Sequence, residues 1–558
     1  MHTTIYQLLA IGVFVLMGCF SSHSQQHFQQ LDSVFAPWDS PNHPGGAIMV
    51  VQNNTTIFSK AYGLASLEYD IPNTTKTRFN IGSISKQFTA MGIVLLEQQH
   101  KLSFDDDIRK YLVELPDFGE TITIRHLLHH TSGLRDLHGL LALAGWRATD
   151  IATNEDLYRV LQNQKDLNFK PGEEFLYCNT GYILLAKIIE RVTNSSFPTW
   201  MKNTIFDPLG MQNTYVAAKP DRIVTNNATS YNGNNPFRRA IEHWGYYGSG
   251  NIYSTTADLM LWLQNFIHPK KEWSDAFSTL VTTTPLHNGY QTNYGFGVRI
   301  EEHLGKKMIQ HGGAVGGYRA VARVYPEEHV QIVILTNFSN SGMGSKLNAI
   351  TNIIFDTEES TVITTPKTQQ STNYATLSNQ QLSKFEGIYW SDEEKYGRKI
   401  YIKKDRLRYE TPSGVAYPLV PINASTFQLI NVGEYVLLHF ETANKVPKIT
   451  VSIPNQIPGS LTLHQTIASD NSTDPRAYIG AYYSPELKTT YTILQEQTEV
   501  YCEHIRHGKI KLKRVFDDIY AGTWPVDTVE IKRDANSNVI GMKISNGRTR
   551  NVWFRKID

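Results

Sequence analysis

A mixed α/β domain followed by two small all-β domains is the architecture this sequence predicts, and three observations predict it. Strand-like and helical runs alternate from about Gln25 to Asp356, a polar stretch without apolar period follows, and the remainder consists of short alternating segments that repeat once. The length of 558 residues agrees, because about 150 residues per domain gives three or four domains. Hydrophobic residues at 41% and charged residues at 19% supply sizeable cores and too little charge for a disordered chain. Lys plus Arg is 53 against 52 Asp plus Glu, so there is no electrostatic footprint for nucleic acid. Cys19, Cys178 and Cys502 lie far apart, which excludes a disulfide framework and matches no metal-ligand spacing.

At the N-terminus, Leu8 to Phe20 is a 13-residue apolar run. It is shorter than the roughly 18 to 20 residues that cross a bilayer and has the length of a signal-peptide core. Export follows, to the periplasm, to the membrane face as a lipoprotein, or into the medium. The run ends in Leu16-Met17-Gly18-Cys19, which resembles a lipobox with Cys19 as the lipidated residue, although the n-region has no Lys or Arg and Met17 is not small. Cleavage after Ser24 is the rival reading, and a buried N-terminal helix the bland one.

The domain plan reads residues 1–24 as signal peptide, 25–357 as the first domain, 358–377 as a linker, and 378–468 and 473–558 as two β domains. In the first domain AIMVVQ and TIFSKAYG are strand-like, whereas Ile84 to His100 and Gly181 to Thr193 are helical. Glu358 to Leu377 is rich in Thr, Ser and Gln, as a linker should be. In the tail, Phe385-Glu386-Gly387-Ile388-Tyr389 recurs 93 residues later as Tyr478-Ile479-Gly480-Ala481-Tyr482. The same offset carries Ile400 onto Ile493, Phe427 onto Tyr520 and Val451 onto Ile544 without a gap. Two similar β domains are expected, each closing into a small barrel around its own core, which removes exposed sheet edges.

The chemistry begins at Ser83-Ile84-Ser85-Lys86, ahead of the apolar stretch FTAMGIVLLEQQ. On a helix, positions i and i+3 share a face with Cβ atoms about 5–6 Å apart, so the Lys86 amine reaches the Ser83 hydroxyl. Burial lowers a lysine pKa toward the range of a base, and a helix N-terminus offers N–H groups to an oxyanion. Alone the signal is weak: ordinary residue usage gives about two SxxK matches in a chain this long, and a capping serine beside a solvent-facing lysine would read the same. Two further elements converge with it, Tyr177-Cys178-Asn179 and His311-Gly312-Gly313-Ala314.

These three elements in this order resemble the serine β-lactamase and penicillin-binding-protein superfamily, in its class C β-lactamase, DD-peptidase and D-aminopeptidase branch. Pro44-Gly45-Gly46-Ala47, His129-His130-Thr131-Ser132-Gly133-Leu134, Pro208-Leu209-Gly210-Met211 and Gly248 to Ser254 extend the likeness over roughly residues 30–355. The resemblance implies an α+β first domain, an antiparallel sheet flanked by helices with a helical subdomain, ahead of the two all-β barrel-like domains. It implies Ser83 as nucleophile, Lys86 as its activator and Tyr177 as the general acid/base. Asn179 would hold Lys86 or the substrate amide, His311 and Gly313 would line the substrate strand, and the N–H groups of Ser83 and Ala314 would form the oxyanion hole. Histidine at 311, where many β-lactamases have lysine, is more typical of peptidase-like and esterase-like members.

The expected function is therefore an exported serine hydrolase acting through a Ser83 acyl-enzyme on an amide or ester, foremost D-amino-acid peptides. A carboxylesterase or β-lactamase with the same machinery is the second reading, and a non-catalytic cell-wall or glycan-binding protein the third. The partner is a small peptide or ester, and the oligomeric state stays open. His126, His129 and His130 have helical spacing but lack HExxH, so no metal is expected. Phosphate-loop and nicotinamide fingerprints are absent from the sequence, so no cofactor is expected. Cys178 reads as a small buried filler, Asp105-Asp106-Asp107 as a solvated helix start, and Ser254 as the cap of the helix that follows it.

Overall fold

The computed structural model describes residues 27–219, 221–240, 244–355, 375–391, 396–411, 416–430, 436–442, 446–452, 460–466, 475–516 and 518–557. Leu8 to Phe20, Cys19, the Ser24 cleavage point and most of the linker lie outside them.

The first domain is built on a six-stranded antiparallel sheet, in spatial order Arg299–His303, Lys306–Val315, Tyr318–Tyr325, Val330–Thr336, Gly46–Gln52 and Thr55–Tyr62. The two strand-like runs near the N-terminus therefore pair with each other, and Gly46–Gln52 also pairs with Val330–Thr336, bringing the ends of the domain together. Val330–Thr336 is buried at every position because helices cover both of its faces. Met343–Ile354 packs in the cluster on one side, and the helix Ser85–Gln98 lies in the larger cluster on the other.

That helix is apolar on most faces, and its buried polar groups are each bonded, as burial demands. The Trp262 indole donates to Gln87 at 2.7 Å, and the Thr89 hydroxyl donates to the Gly248 carbonyl at 2.7 Å. The second predicted helix spans Asn179–Thr193, beginning two residues earlier than expected. Ser254 does not cap the helix Thr256–Leu263. Thr255 does, its side chain accepting from the Asp258 N–H, because the Ser254 hydroxyl is taken up in a buried pair with Thr214.

The tail forms two closed eight-stranded barrels, the first from Gly387–Ser391 to Ser460–Thr466 and the second from Gly480–Ser484 to Thr549–Ile557. The 93-residue repeat is written into their hydrogen bonds. Gly387 pairs with Ile400 and Ile400 with Tyr409, and Gly480 pairs with Ile493 and Ile493 with Cys502. The Tyr389 hydroxyl donates to the Phe385 carbonyl at 3.0 Å, and its counterpart Tyr482 donates to the Tyr478 carbonyl at 2.5 Å.

The two barrels differ in what they pack against. The first closes around a core of its own, with Phe385, Tyr389, Phe427 and Phe440 at its centre. The apolar residues of the second, including Tyr482, Tyr491 and Phe554, are continuous with the core of the first domain. Polar groups seal this second contact. The Arg135 guanidinium is buried, donating to Glu486 at 2.6 Å, to Gln164 at 2.8 Å and to the carbonyls of Arg550 and Asn551 at 2.9 and 3.1 Å. Gly139 explains how close the approach is: a Cβ there would lie 2.2 Å from the Thr549 hydroxyl.

Candidate active site

Ser83 sits in a single 3-10 turn, Gly82–Ile84, that runs straight into the helix Ser85–Gln98. Gly82 has φ +52°, and a Cβ on it would meet the Ala314 nitrogen at 2.7 Å. Glycine is therefore what lets the serine turn press against the strand Lys306–Val315. From the other side, a Cβ on Gly313 would meet the Ile81 carbonyl at 2.0 Å. The result is a cleft lined by Gly82, Ser83, Asn179, Ser249, Ala314 and Val315. Six of the seven residues expected at the site, Ser83, Lys86, Tyr177, Asn179, Gly313 and Ala314, thus meet at this cleft or directly beneath it.

Lys86 is completely buried, and its Nζ has three polar neighbours. It lies 2.8 Å from Asn179 Oδ1, 2.7 Å from the Ser249 carbonyl and 3.1 Å from Ser83 Oγ. Burial pushes its pKa well below the ordinary lysine value; the Asp136 carboxylate opposes that shift and the Arg548 guanidinium adds to it. A neutral amine has two hydrogens and one lone pair. Asn179 and Ser249 offer only acceptor oxygens, so in the neutral form they take the two hydrogens and the lone pair is left to the Ser83 hydroxyl.

Tyr177 lies over the same amine, with its ring centroid 4.8 Å from Lys86 Nζ. Its hydroxyl is buried and has no hydrogen-bond partner of ordinary geometry among the described residues. Burial raises its pKa, opposed by the nearby Ser83 hydroxyl, so it is a protonated phenol and a proton donor. Its neighbour His130 packs against the ring at 4.3 Å and accepts from the Cys178 N–H at 3.1 Å, which holds the Tyr177-Cys178-Asn179 segment in place. Cys178 is indeed buried, and desolvation pushes its thiol up to about 12, far from a nucleophile.

His311 is buried with both ring nitrogens engaged. Nδ1 stands 2.6 Å from the Gly312 carbonyl, which can only accept, so Nδ1 carries the hydrogen. Nε2 then accepts from the Tyr294 hydroxyl at 3.0 Å. Burial, with the Lys86 charge second, drives its pKa down to about 3. A histidine in this state shapes the strand and does not donate a proton to a leaving group.

Sequence reasoning missed the residue that organises the site. Asp136 is buried beneath Asn179, and one of its carboxylate oxygens accepts from the Asn179 N–H at 2.7 Å and from its side-chain amide at 3.0 Å. With the amide hydrogens committed to Asp136, Asn179 Oδ1 is turned toward Lys86. The other Asp136 oxygen caps the helix Leu137–Leu143 by accepting from the His138 N–H at 3.1 Å. No spacing rule links Asp136 to Asn179, and only its place just after the His129 to Leu134 segment marked it.

The weaker candidates resolve into local structure. Asp105 pairs with Arg125, Asp106 with Lys110, and Asp107 caps a short turn by accepting from the Arg109 N–H. His126 completes a capping box with Thr123, and His129 stands 3.0 Å from the Tyr294 carbonyl.

Residues 26–352, more than half of the chain, match the family model described as Beta-lactamase. The chain belongs to the beta-lactamase family. Within it, penicillin-binding protein 4* of Bacillus subtilis (strain 168) is 31% identical over 335 residues, which is 56% of this chain and 72% of that protein. The D-aminopeptidase of Gluconobacter oxydans (strain 621H) is 28% identical over 325 residues, 57% of this chain and 61% of that protein, so the match spans less than two thirds of it. Among solved structures, the penicillin-binding protein homologue from Pyrococcus abyssi superposes with a TM-score of 0.53 at 24% identity, over 78% of this chain and 99% of that one, a likeness of fold. Family membership makes this beta-lactamase family protein a serine hydrolase.

Tyr177→Phe in this family member removes one hydroxyl and leaves the ring packed. We expect turnover to fall by about 10²-fold or more with the melting temperature nearly unchanged. An unchanged rate at unchanged stability would place the proton donor elsewhere.

Proposed function

We propose that this protein hydrolyses amides of D-amino acids through an acyl-enzyme on Ser83, outside the cytoplasm. The observation that carries the reading is the buried Lys86 amine, held 3.1 Å from Ser83 Oγ between the Asn179 and Ser249 oxygens, with burial pushing its pKa well below the ordinary lysine value. In the forward step Lys86 takes the Ser83 proton as Oγ bonds to the carbonyl carbon. The N–H groups of Ser83 and Ala314, on the two sides of the cleft that Gly82 and Gly313 hold together, receive the oxyanion. The C–N bond then breaks as Tyr177 gives its proton to the departing nitrogen, and the Lys86 proton restores the phenol. Water enters by the reverse path and releases the acid. The D-aminopeptidase and penicillin-binding-protein names among the relatives support the amide class. Export rests on the apolar run Leu8 to Phe20, and membrane attachment on Cys19.

The test is turnover by the purified full chain of D-Ala-D-Ala peptides, D-aminoacyl amides, short acyl esters and a chromogenic cephalosporin. Preference for a D-configured amide is expected, and turnover confined to the esters or the cephalosporin would overturn the substrate class. Intact-mass spectrometry should show one acyl adduct, lost in Ser83→Ala. An adduct that persists in that variant would remove Ser83 from the role.

A further inference from the structure

The second barrel delivers a cation to the catalytic cleft. The hairpin turn between its strands Val539–Asn546 and Thr549–Ile557 is pinned on both sides of Arg548. The Asn546 amide donates to the Gly139 carbonyl at 3.3 Å, and the Thr549 hydroxyl donates to the Asp136 carbonyl at 3.0 Å. The Arg548 carbonyl itself accepts from the Asp136 N–H at 3.2 Å and from the Asn168 amide at 2.9 Å. The turn cannot swing away without breaking buried hydrogen bonds.

So fixed, the guanidinium lies 5.4 Å from the Tyr177 ring centroid and 3.6 Å from Asp136 Oδ1, with 37% of the side chain open to solvent. Asp136 is already engaged by two N–H groups of Asn179 and one of His138, and 3.6 Å exceeds a hydrogen bond. Arg548 therefore brings a fork of N–H donors, suited to a carboxylate, to the side of Tyr177, whose ring lies over Lys86. Asp136 offsets part of the Arg548 charge, as an ion pair at 3.6 Å. Tyr177, His130 and His311 add no charge of their own, Arg299 is a second cation against Tyr294, and burial pushes the Lys86 pKa well below its ordinary value.

We propose that Arg548 is a specificity-determining residue, which selects substrates bearing a carboxylate where they pass Tyr177 and Asn179 and disfavours a free ammonium group there. The inference rests on the hydrolase reading above and deepens it. The match to the D-aminopeptidase relative covers 57% of this chain, so the name of that relative does not argue for a free amine here.

The test compares three D-alanine p-nitroanilides, N-succinyl, N-acetyl and free amine, and N-acetyl-D-Ala-D-Ala against its C-terminal amide. In at least one of the two series, kcat/KM for the anionic member should exceed the neutral one by about tenfold, with the free amine the poorest substrate. In Arg548→Gln the ratio should fall to within about twofold, and Arg548→Lys should keep most of it. Unchanged ratios in a cooperatively melting Arg548→Gln protein would overturn the proposal. If none of these compounds is turned over, the substrate reading has failed. The charge preference is then read as dissociation constants of the same compounds on the full chain carrying Ser83→Ala, with and without Arg548→Gln. Equal affinity for anionic and neutral members there overturns this inference by itself.

Discussion

Lys86→Met is expected to slow turnover by roughly 10²–10⁴-fold, the usual worth of a positioned base, while the protein still folds. Methionine keeps the volume of the buried stem and removes the lone pair that faces Ser83. A rate within about threefold of wild type would be incompatible with a base at this position. The pH profile supplies the sign. Because burial holds the Lys86 pKa well below its ordinary value, the enzyme is active where the amine is free and loses activity as pH falls through that depressed pKa. Stability follows the same linkage. Below the ordinary lysine value of 10.5 the unfolded chain carries a proton at Lys86 that the folded protein resists. Wild-type stability relative to Lys86→Met therefore rises with pH, by up to about 1.4 kcal/mol per unit, between the folded pKa and the unfolded one. Denaturant unfolding of both proteins across that window checks it, and a flat difference would mean that Lys86 is charged in the native state.

Glu486→Ala should cost about 3–5 kcal/mol, because it strands the Arg135 guanidinium between two folded units. Side-chain exposures of 1% for Arg135 and 3% for Glu486 leave no route for water to compensate. Arg135 retains the Gln164 oxygen and two backbone carbonyls as acceptors, so its hydrogen bonds survive in part and the uncompensated charge carries most of the cost. The effect should reach the chemistry. Arg135 is the residue before Asp136, and the strand Thr549–Ile557 bonds both, through the Arg550 and Asn551 carbonyls and the Thr549 hydroxyl, so loosening this contact releases Asn179 and through it Lys86. We expect a drop in melting temperature together with a fall in kcat, at a distance from Ser83 that a simple surface change would not bridge. A stability change within 0.5 kcal/mol, the range of a surface substitution, would show the pair to be dispensable.

How much of this was legible in the chain depends on how far apart the interacting residues lie. The Ser83 to Lys86 contact is a three-residue step on a helix, and helical geometry alone puts the two side chains on one face. The barrels were legible for a related reason. A 93-residue repeat with alternating apolar residues and frequent turns has few folds open to it, and closure follows from the need to pair the edge strands. The cap at Thr255 shows the limit of the local signal, since Ser254 and Thr255 are equally good caps and a tertiary partner, Thr214, decided between them. Tyr177, Asn179 and His311 were found through family likeness, because nothing in their own spacing puts them beside Ser83.

The sequence by itself therefore determined the pairing of Ser83 with Lys86, the helix that Lys86 opens, the repeat and the class of fold, all of which follow from short-range periodicity or from a motif order. Tertiary structure alone decided the state of the site. The Lys86 pKa is depressed because the fold buries it, His311 is no proton donor because Gly312 and Tyr294 occupy its nitrogens, and Asp136 matters because it lies under Asn179. It also decided that the second barrel shares a core with the first domain and sets Arg548 beside Tyr177. Its sequence differs from its repeat partner by side chains such as Arg548 and Thr549, whose value appears only when Gly139 lets them approach, and no pattern within a strand records a contact made more than 400 residues away.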